Sequence, residues 1–170
     1  MKNKSIDIVI IIVFTIITFV SLLLFFNGYR FSINISSSLP HKLFLVNTNQ
    51  KNINNVTNGD FIQFINKDAK YYNGIKITKQ VLAKEGDVLE INSFREIKDN
   101  IQGTINYGDK VLKVKFKTKK GTEVKINNIK VIPKNRYFVM GYDEHSFDSR
   151  YKEFGLIEKS EVIGVAKPLF

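Results

Sequence analysis

The chain has 170 residues, 26 Lys and Arg against 16 Asp and Glu, a formal charge of +10 and no cysteine. That length allows one ordinary domain, or one domain with an appendage. The missing cysteines exclude disulfides, thiolate metal sites, iron–sulfur clusters and cysteine catalysis, and two histidines, His41 and His145, leave little for a metal centre, so no cofactor and no metal are expected.

An apolar run opens the chain. Residues 8–26 carry no charge, and only Thr15, Thr18 and Ser21 interrupt them with hydroxyls. As a helix rising about 1.5 Å per residue this run spans roughly 28 Å, close to the hydrocarbon thickness of a bilayer. A cleaved signal peptide would end its apolar core at a small-x-small site, and Leu22-Leu23-Leu24-Phe25-Phe26-Asn27-Gly28-Tyr29 offers none. The expectation is an uncleaved single-pass anchor with the lipid bilayer as a partner. Lys2 and Lys4 precede the span, placing residues 1–7 in the cytoplasm by the positive-inside rule, with Arg30 opposing this from the far end. Residues 27–170 would then form an extracytoplasmic domain on the cytoplasmic (inner) membrane, with 24 basic and 15 acidic residues.

That domain reads as short strands. Lys42-Leu43-Phe44-Leu45-Val46 and Asp60-Phe61-Ile62-Gln63-Phe64-Ile65 are brief apolar runs, the second entered through Gly59. Residues 74–81 alternate, a turn follows at Gly86-Asp87, and Val88-Leu89-Glu90-Ile91 continues. Residues 112–117 alternate again, and after Lys119-Lys120-Gly121 the run Glu123-Val124-Lys125-Ile126 suggests a lysine-rich hairpin over about 110–126. Residues 136–141 and 161–166 complete the set. No dozen-residue helical stripe follows residue 27, so a mainly β domain, a barrel or paired sheets, is expected. The lysines at 110, 113, 115, 117, 119 and 120 have three readings: a solvated strand face, which is preferred, edge protection, or a patch for lipid headgroups. Aromatic and basic residues interleave too weakly for a nucleic-acid platform.

Three segments carry unusual residues. Asn34-Ile35-Ser36-Ser37-Ser38-Leu39-Pro40 lies about a dozen residues beyond the apolar run. In the second, strand alternation puts Lys79 on a face with Ile75, Ile77, Val81 and Ala83, whereas Lys76 lies with Gly74, Thr78, Gln80 and Leu82. A lysine in an apolar row either snorkels at an edge or is buried for a purpose. The third, residues 141–151, is a polar, turn-rich insertion containing Asp143, His145, Ser146, Asp148 and Arg150.

Together these resemble the type I signal peptidases, and more closely their conjugative-transfer (TraF-like) branch. Asn34 to Phe44 is similar to that branch's Asn-x-Thr/Ser-x-Ser-x-Pro-x-Gly-Leu-Tyr motif, with Lys42 in place of Gly and Phe44 in place of Tyr. Gly59-Asp60 resembles the Gly-Asp box. Lys79-Gln80-Val81-Leu82-Ala83-Lys84-Glu85-Gly86-Asp87 resembles the lysine box, with Ala83 for Gly and Glu85 for Pro. Ser146-Phe147-Asp148-Ser149-Arg150-Tyr151 matches the C-terminal box, and Ile163-Gly164-Val165-Ala166 the closing strand.

The resemblance implies a signal-peptidase-like antiparallel catalytic domain and a serine endopeptidase that cuts leader peptides from exported proteins. Its partner would be a leader-bearing pilin or another conjugative component. It makes Ser38 the nucleophile, Lys79 the general base, Ser36 an oxyanion donor and Ser146 the group orienting Lys79, with Asp148 and Arg150 bracing the C-terminal box. The chemistry is consistent with this: a serine hydroxyl needs a neighbouring base, and burial lowers a lysine pKa by disfavouring the ammonium. Other readings are a general housekeeping signal peptidase, an inactive anchored β-domain acting as an assembly module, a self-cleaving repressor-type protease, or a Ser38 triad with His145 and a nearby Asp143 or Asp148.

Overall fold

The structure is a computed structural model that describes residues 4–65, 74–119 and 121–170. Residues 1–3, with Lys2, and the Lys120 of the expected hairpin lie outside the described residues. The apolar run forms helix α1, Lys4–Phe26, and residues 6–26 of it are long and apolar enough to cross a membrane, with no part buried against the rest of the protein. Thr15 and Thr18 donate to the carbonyls of Ile11 and Phe14, so these hydroxyls are satisfied inside the helix, as an apolar surrounding requires. Arg30 closes the helix C-terminus. Its Nη1 donates to Phe25 O and Tyr29 O, each at 2.7 Å, and its guanidinium lies over the Phe25 ring. A cation at that end also complements the helix dipole.

The remainder is antiparallel β-structure. Among the described residues ten strands follow the helix: β1 Tyr29–Ile33, β2 Leu43–Asn47, β3 Phe61–Ile65, β4 Lys76–Lys84, β5 Glu90–Glu96, β6 Ile101–Tyr107, β7 Lys110–Lys115, β8 Arg136–Met140, β9 Ile157–Glu158 and β10 Val162–Pro168. Helix α2, Gln50–Asn54, is a single turn capped by the Asn49 side chain. Seven strands form one sheet in the order β1-β2-β10-β3-β4-β8-β9, and β5-β6-β7 form a second. The mainly β expectation therefore holds. Strands β3 and β8 are buried on both faces, so their sequences are largely apolar, and the one buried amide among them, Gln63, donates to Ser32 Oγ and Thr78 Oγ1. On β6 the burial alternates, as on a half-covered strand.

Two pairings differ from the sequence reading. The partner of β7 is β6, through a turn at Gly108-Asp109, and residues 123–126 contribute only the bridge Lys117↔Glu123 and its flanking bonds. The return segment finds its backbone partners elsewhere. Gln102 bonds Val124 O and Ile126 N, Glu153 accepts from Lys125 N, and Ile126 bridges to Tyr151. Val124 and Ile126 are buried beneath these contacts, so packing rather than hairpin pairing fixes the segment. Of the hairpin lysines, Lys110, Lys113 and Lys117 are exposed. Lys115 is instead half-buried and paired with Glu144 at 3.2 Å, and Lys119 with Asp143 at 3.8 Å.

The core divides in two. The larger cluster joins both sheets around Phe64, Phe138, Ile105 and Ile132. The smaller consists of Leu39, Phe44, Val46, Phe61 and Ala166, with the His41 ring edge-on to Phe44 and Phe61. Leu39 immediately follows Ser38, so the smaller core anchors the serine loop.

Candidate active site

Three elements meet at one open cleft of about 360 Å³: the serine loop after β1, the first half of β4, and the loop after β8. Ser36, Ser38, Lys79 and Ser146, four residues the sequence singled out, all line it.

The serine loop is folded around Asn34. Its Nδ2 donates to His41 O at 3.0 Å and Leu39 O at 3.3 Å, while its Oδ1 accepts from Ser36 N at 3.1 Å and Ser36 Oγ at 2.8 Å. Ser36 Oγ also lies 2.8 Å from Ser38 Oγ. Because the Ser36 proton points to Asn34, the Ser38 hydroxyl is the donor in that pair. Asn34 leads the motif but had no role in the sequence reading. Its signal was position alone, since an Asn before a Ser-rich turn commonly bonds the backbone a few residues on.

Lys79 enters from β4, where it stands opposite Ile62 of β3. It is 3% exposed, and its Nζ donates to Ser146 Oγ at 2.5 Å. Burial pushes its ammonium down from 10.5 to about 8, and Arg150 acts in the same direction, while Asp148 and Asp143 pull back. The expected apolar row supplies only part of this burial. Ile77 is half-buried and Val81 buried, but Ile75 is 60% exposed at the cleft mouth. The loop after β8 also closes on it, with Ser146 bonded to its Nζ and the buried Asp148 and Arg150 near enough to act on its charge. Lys76 is exposed.

That loop is organised by a buried ion pair. Arg150 grips Asp148 with two bonds, Nε to Oδ1 at 2.8 Å and Nη2 to Oδ2 at 2.9 Å, and its Nη2 also donates to Ser146 O and Asp143 O. Asp148 Oδ2 accepts from Gly141 N as well, and the buried Ser149 Oγ accepts from Val139 N, a bond not foreseen from sequence. Gly141 sits where β8 leaves the sheet. A Cβ there would collide with the Ser146 side chain and come within 2.7 Å of Ser38 O, so only glycine lets the two loops approach. Tyr142 N donates to Ser38 O at 2.7 Å, and Ser37 Oγ donates to Asp143 Oδ2 at 3.0 Å, tying the loops together.

Among the described residues no direct hydrogen bond joins Ser38 and Lys79; catalytic bonds of this kind often tighten only around substrate. His145 also lines the cleft, but its Nε2 faces Glu144 at 3.1 Å. Asp148 is occupied by Arg150 and Gly141 N, and Asp143 by Ser37, Lys119 and the His145 backbone N–H. Among the described residues neither acid is hydrogen-bonded to the imidazole ring, although His145 acts electrostatically on Asp143. Among the described residues no group of three or more His, Asp or Glu is placed to hold a metal ion.

The sequence matches the family described as signal peptidase, peptidase S26, over residues 4–170. The chain belongs to the signal peptidase family. No curated protein matches it. Signal peptidases are membrane-associated serine endopeptidases acting on exported proteins that carry leader peptides, and this chain joins an antiparallel β domain to an apolar N-terminal helix. In this signal peptidase the helix leads through Gly28 directly into edge strand β1, and the serine loop starts at Asn34, immediately after that strand.

Proposed function

We propose that this protein is a membrane-anchored leader peptidase working through a Ser38–Lys79 dyad. The observation that carries the reading is a buried lysine, its pKa lowered to about 8, facing the same cleft as a half-buried serine. At pH 7 a lysine of that pKa is neutral in about a tenth of molecules, roughly 300-fold more than at 10.5. Neutral Lys79 takes the hydroxyl proton as Ser38 Oγ attacks the scissile carbonyl. Ser36 Oγ–H, turning from Asn34, and the Ser38 backbone N–H donate to the developing oxyanion. Collapse breaks the C–N bond, and Lys79 returns the proton to the leaving amine. Water, deprotonated in turn by Lys79, then releases the acyl group from Ser38. Ser146 orients the amine through its hydrogen bond, and Asp148 with Arg150 braces the loop that carries Ser146.

In this reading residues 8–26 span the cytoplasmic membrane, residues 1–7 lie inside, and residues 27–170 form the peptidase domain outside. The Asn34 to Pro40 motif supports the conjugative branch, with a pilin or another transfer component as substrate; general secretion is the second reading. The deciding experiment assays full-length protein, Ser38→Ala, Lys79→Ala and His145→Ala on a pilin leader and on secretory precursors across pH. Cleavage falls by roughly 10³ or more in the first two variants. It largely survives in the third, and wild-type kcat/KM rises with pH towards a plateau above about 8, because the base must be neutral. Loss of activity in His145→Ala with retention in Lys79→Ala would overturn the dyad.

A further inference from the structure

Charge at the mouth of the cleft is one-sided. Lys76 lines it from β4, and Lys119 reaches it from the turn beyond β7. Lys42 stands beside the serine loop, its Nζ 3.5 Å from Ser36 O. Against these three exposed cations the cleft lining offers one carboxylate, Asp143, and that group is already engaged by the His145 backbone N–H, Ser37 Oγ and Lys119, which together hold its carboxyl below the usual range. The neighbouring Glu144 is drawn off in the same way by Lys115 and His145. Among the described residues Lys42 and Lys76 have no ion-pair partner.

The position of Lys119 is built. The Lys117↔Glu123 bridge and the bonds Thr118 N to Thr122 O and Gly121 N to Thr118 O fold the chain beyond β7 into a tight turn. The two lysine–carboxylate pairs then pin that arm of the second sheet onto the loop carrying Ser146. Through Asp143 and Ser37, Lys119 is linked to the residue preceding Ser38. Lys76 and Lys119 line the same cleft as Ser38 and Lys79.

We infer that the rim formed by Lys42, Lys76 and Lys119 selects substrates by charge, favouring a peptide with Asp or Glu close to the scissile bond and disfavouring Lys or Arg there. This rests on the leader-peptidase reading and adds a specificity that the dyad itself does not set. A charge facing substrate in a partly desolvated cleft shifts rates by about tenfold, and salt weakens the effect.

The test uses full-length protein in detergent and leader peptides with an Ala-x-Ala site whose flanking residues, on either side of the cut, are Asp, Ala or Lys. For wild type the Asp peptide exceeds the Lys peptide in kcat/KM by about tenfold at low salt, and the ratio falls towards one at 1 M salt. Lys119→Gln and Lys76→Gln each reduce the ratio, and Lys76→Glu, which leaves the rim and Asp143 with no net charge, brings it close to one, each variant being read against its own rate on the Ala peptide. Two separate glutamine variants guard against one failing to fold. Equal cleavage of the Asp and Lys peptides by wild type, or a ratio unmoved by the variants, overturns the inference while leaving the peptidase reading intact. Cleavage of none of the three peptides overturns the peptidase reading itself.

Discussion

Lys79 is 3% exposed and lies among buried Ser146, Asp148 and Arg150, whereas Ser36 and Ser37 are exposed and Ser38 only half-buried on a loop following the edge strand β1. The two sides of the cleft meet opposite physical demands. A proposed base must lose water to become neutral near pH 7, so it needs a dry, rigid wall. A proposed nucleophile must reach a peptide bond, so it needs an open position, and its geometry has to come from local hydrogen bonds and a single buried anchor, Leu39. The lysine side is therefore held by packing and by an ion pair. The serine side is held by the Asn34 carboxamide and by the small core beneath it. Damage to the first should cost stability and activity together, and damage to the second should cost mainly activity.

The strongest test of that contrast is Arg150→Met. It leaves the fully buried Asp148 carboxylate with Gly141 N and Arg150 N as its remaining hydrogen-bond donors and releases the carbonyls of Ser146 and Asp143. Removing one member of such a pair costs about 3–5 kcal/mol, because the other charge stays buried. Urea unfolding should show that loss, and cleavage should fall with it. A stable but inactive Arg150→Met would mean that the pair serves the chemistry rather than the fold.

Lys79→Met probes the same wall from the opposite direction. The folded-state pKa of Lys79, about 8, lies below its ordinary 10.5, so below pH 8 the folded protein bears the full cost of protonating a buried amine. Between pH 8 and 10.5 the unfolded chain binds the extra proton, and stability rises with pH. A shift of this size corresponds to about 3 kcal/mol. Lys79→Met, inactive in cleavage, should therefore be more stable than wild type at pH 7 by up to that amount, with the difference shrinking above pH 8 and gone above pH 10.5. A difference that does not change with pH would show that Lys79 is not held against its charge.

The same contrast explains what could be read from the sequence. Strands β2, β3, β4, β8 and β10 were legible because burial on one or both faces leaves an apolar imprint. Strand β6 was not: Gln102, Gly103, Thr104 and Asn106 break its pattern, since Gly103 packs against the Asn92 carbonyl, Gln102 bonds across to Val124 O and Ile126 N, and Asn106 Oδ1 is buried with no hydrogen-bond partner among the described residues. The lysine-rich hairpin forms only near its tip, where Lys117 bridges to Glu123 and Val124 N bonds Phe116 O, while β7 itself pairs with β6, because alternation reports a buried face without saying which neighbour covers it. At the site, the residue types and their order in the chain were legible. Which carboxylate each cation takes was not, because the pairs Lys115–Glu144 and Lys119–Asp143 join segments distant in sequence. The insulation of Lys79 was likewise assigned too much to its own strand. Ile75 is open to the cleft, and part of the surroundings of Lys79 comes from a loop some seventy residues away.

Asn34→Ala gives the smallest expected change in stability and tests the serine side alone. It deletes both donations to Leu39 O and His41 O and both acceptances from Ser36. These groups lie at a half-exposed loop where water can replace the lost partner, so the stability cost should be about 1 kcal/mol. The geometric cost is larger. Without Asn34 Oδ1 the Ser36 hydroxyl is free to turn, and the Ser38 hydroxyl loses a fixed acceptor. If the serine loop is positioned by this carboxamide, kcat should fall by one to two orders of magnitude while the pH at which activity reaches half its plateau stays near 8, because Lys79 and its wall are untouched. A shifted pH midpoint would show that the two sides of the cleft are electrostatically coupled through the serine loop. An unchanged kcat would show that Leu39 and the Tyr142 N–H to Ser38 O bond suffice to place the nucleophile.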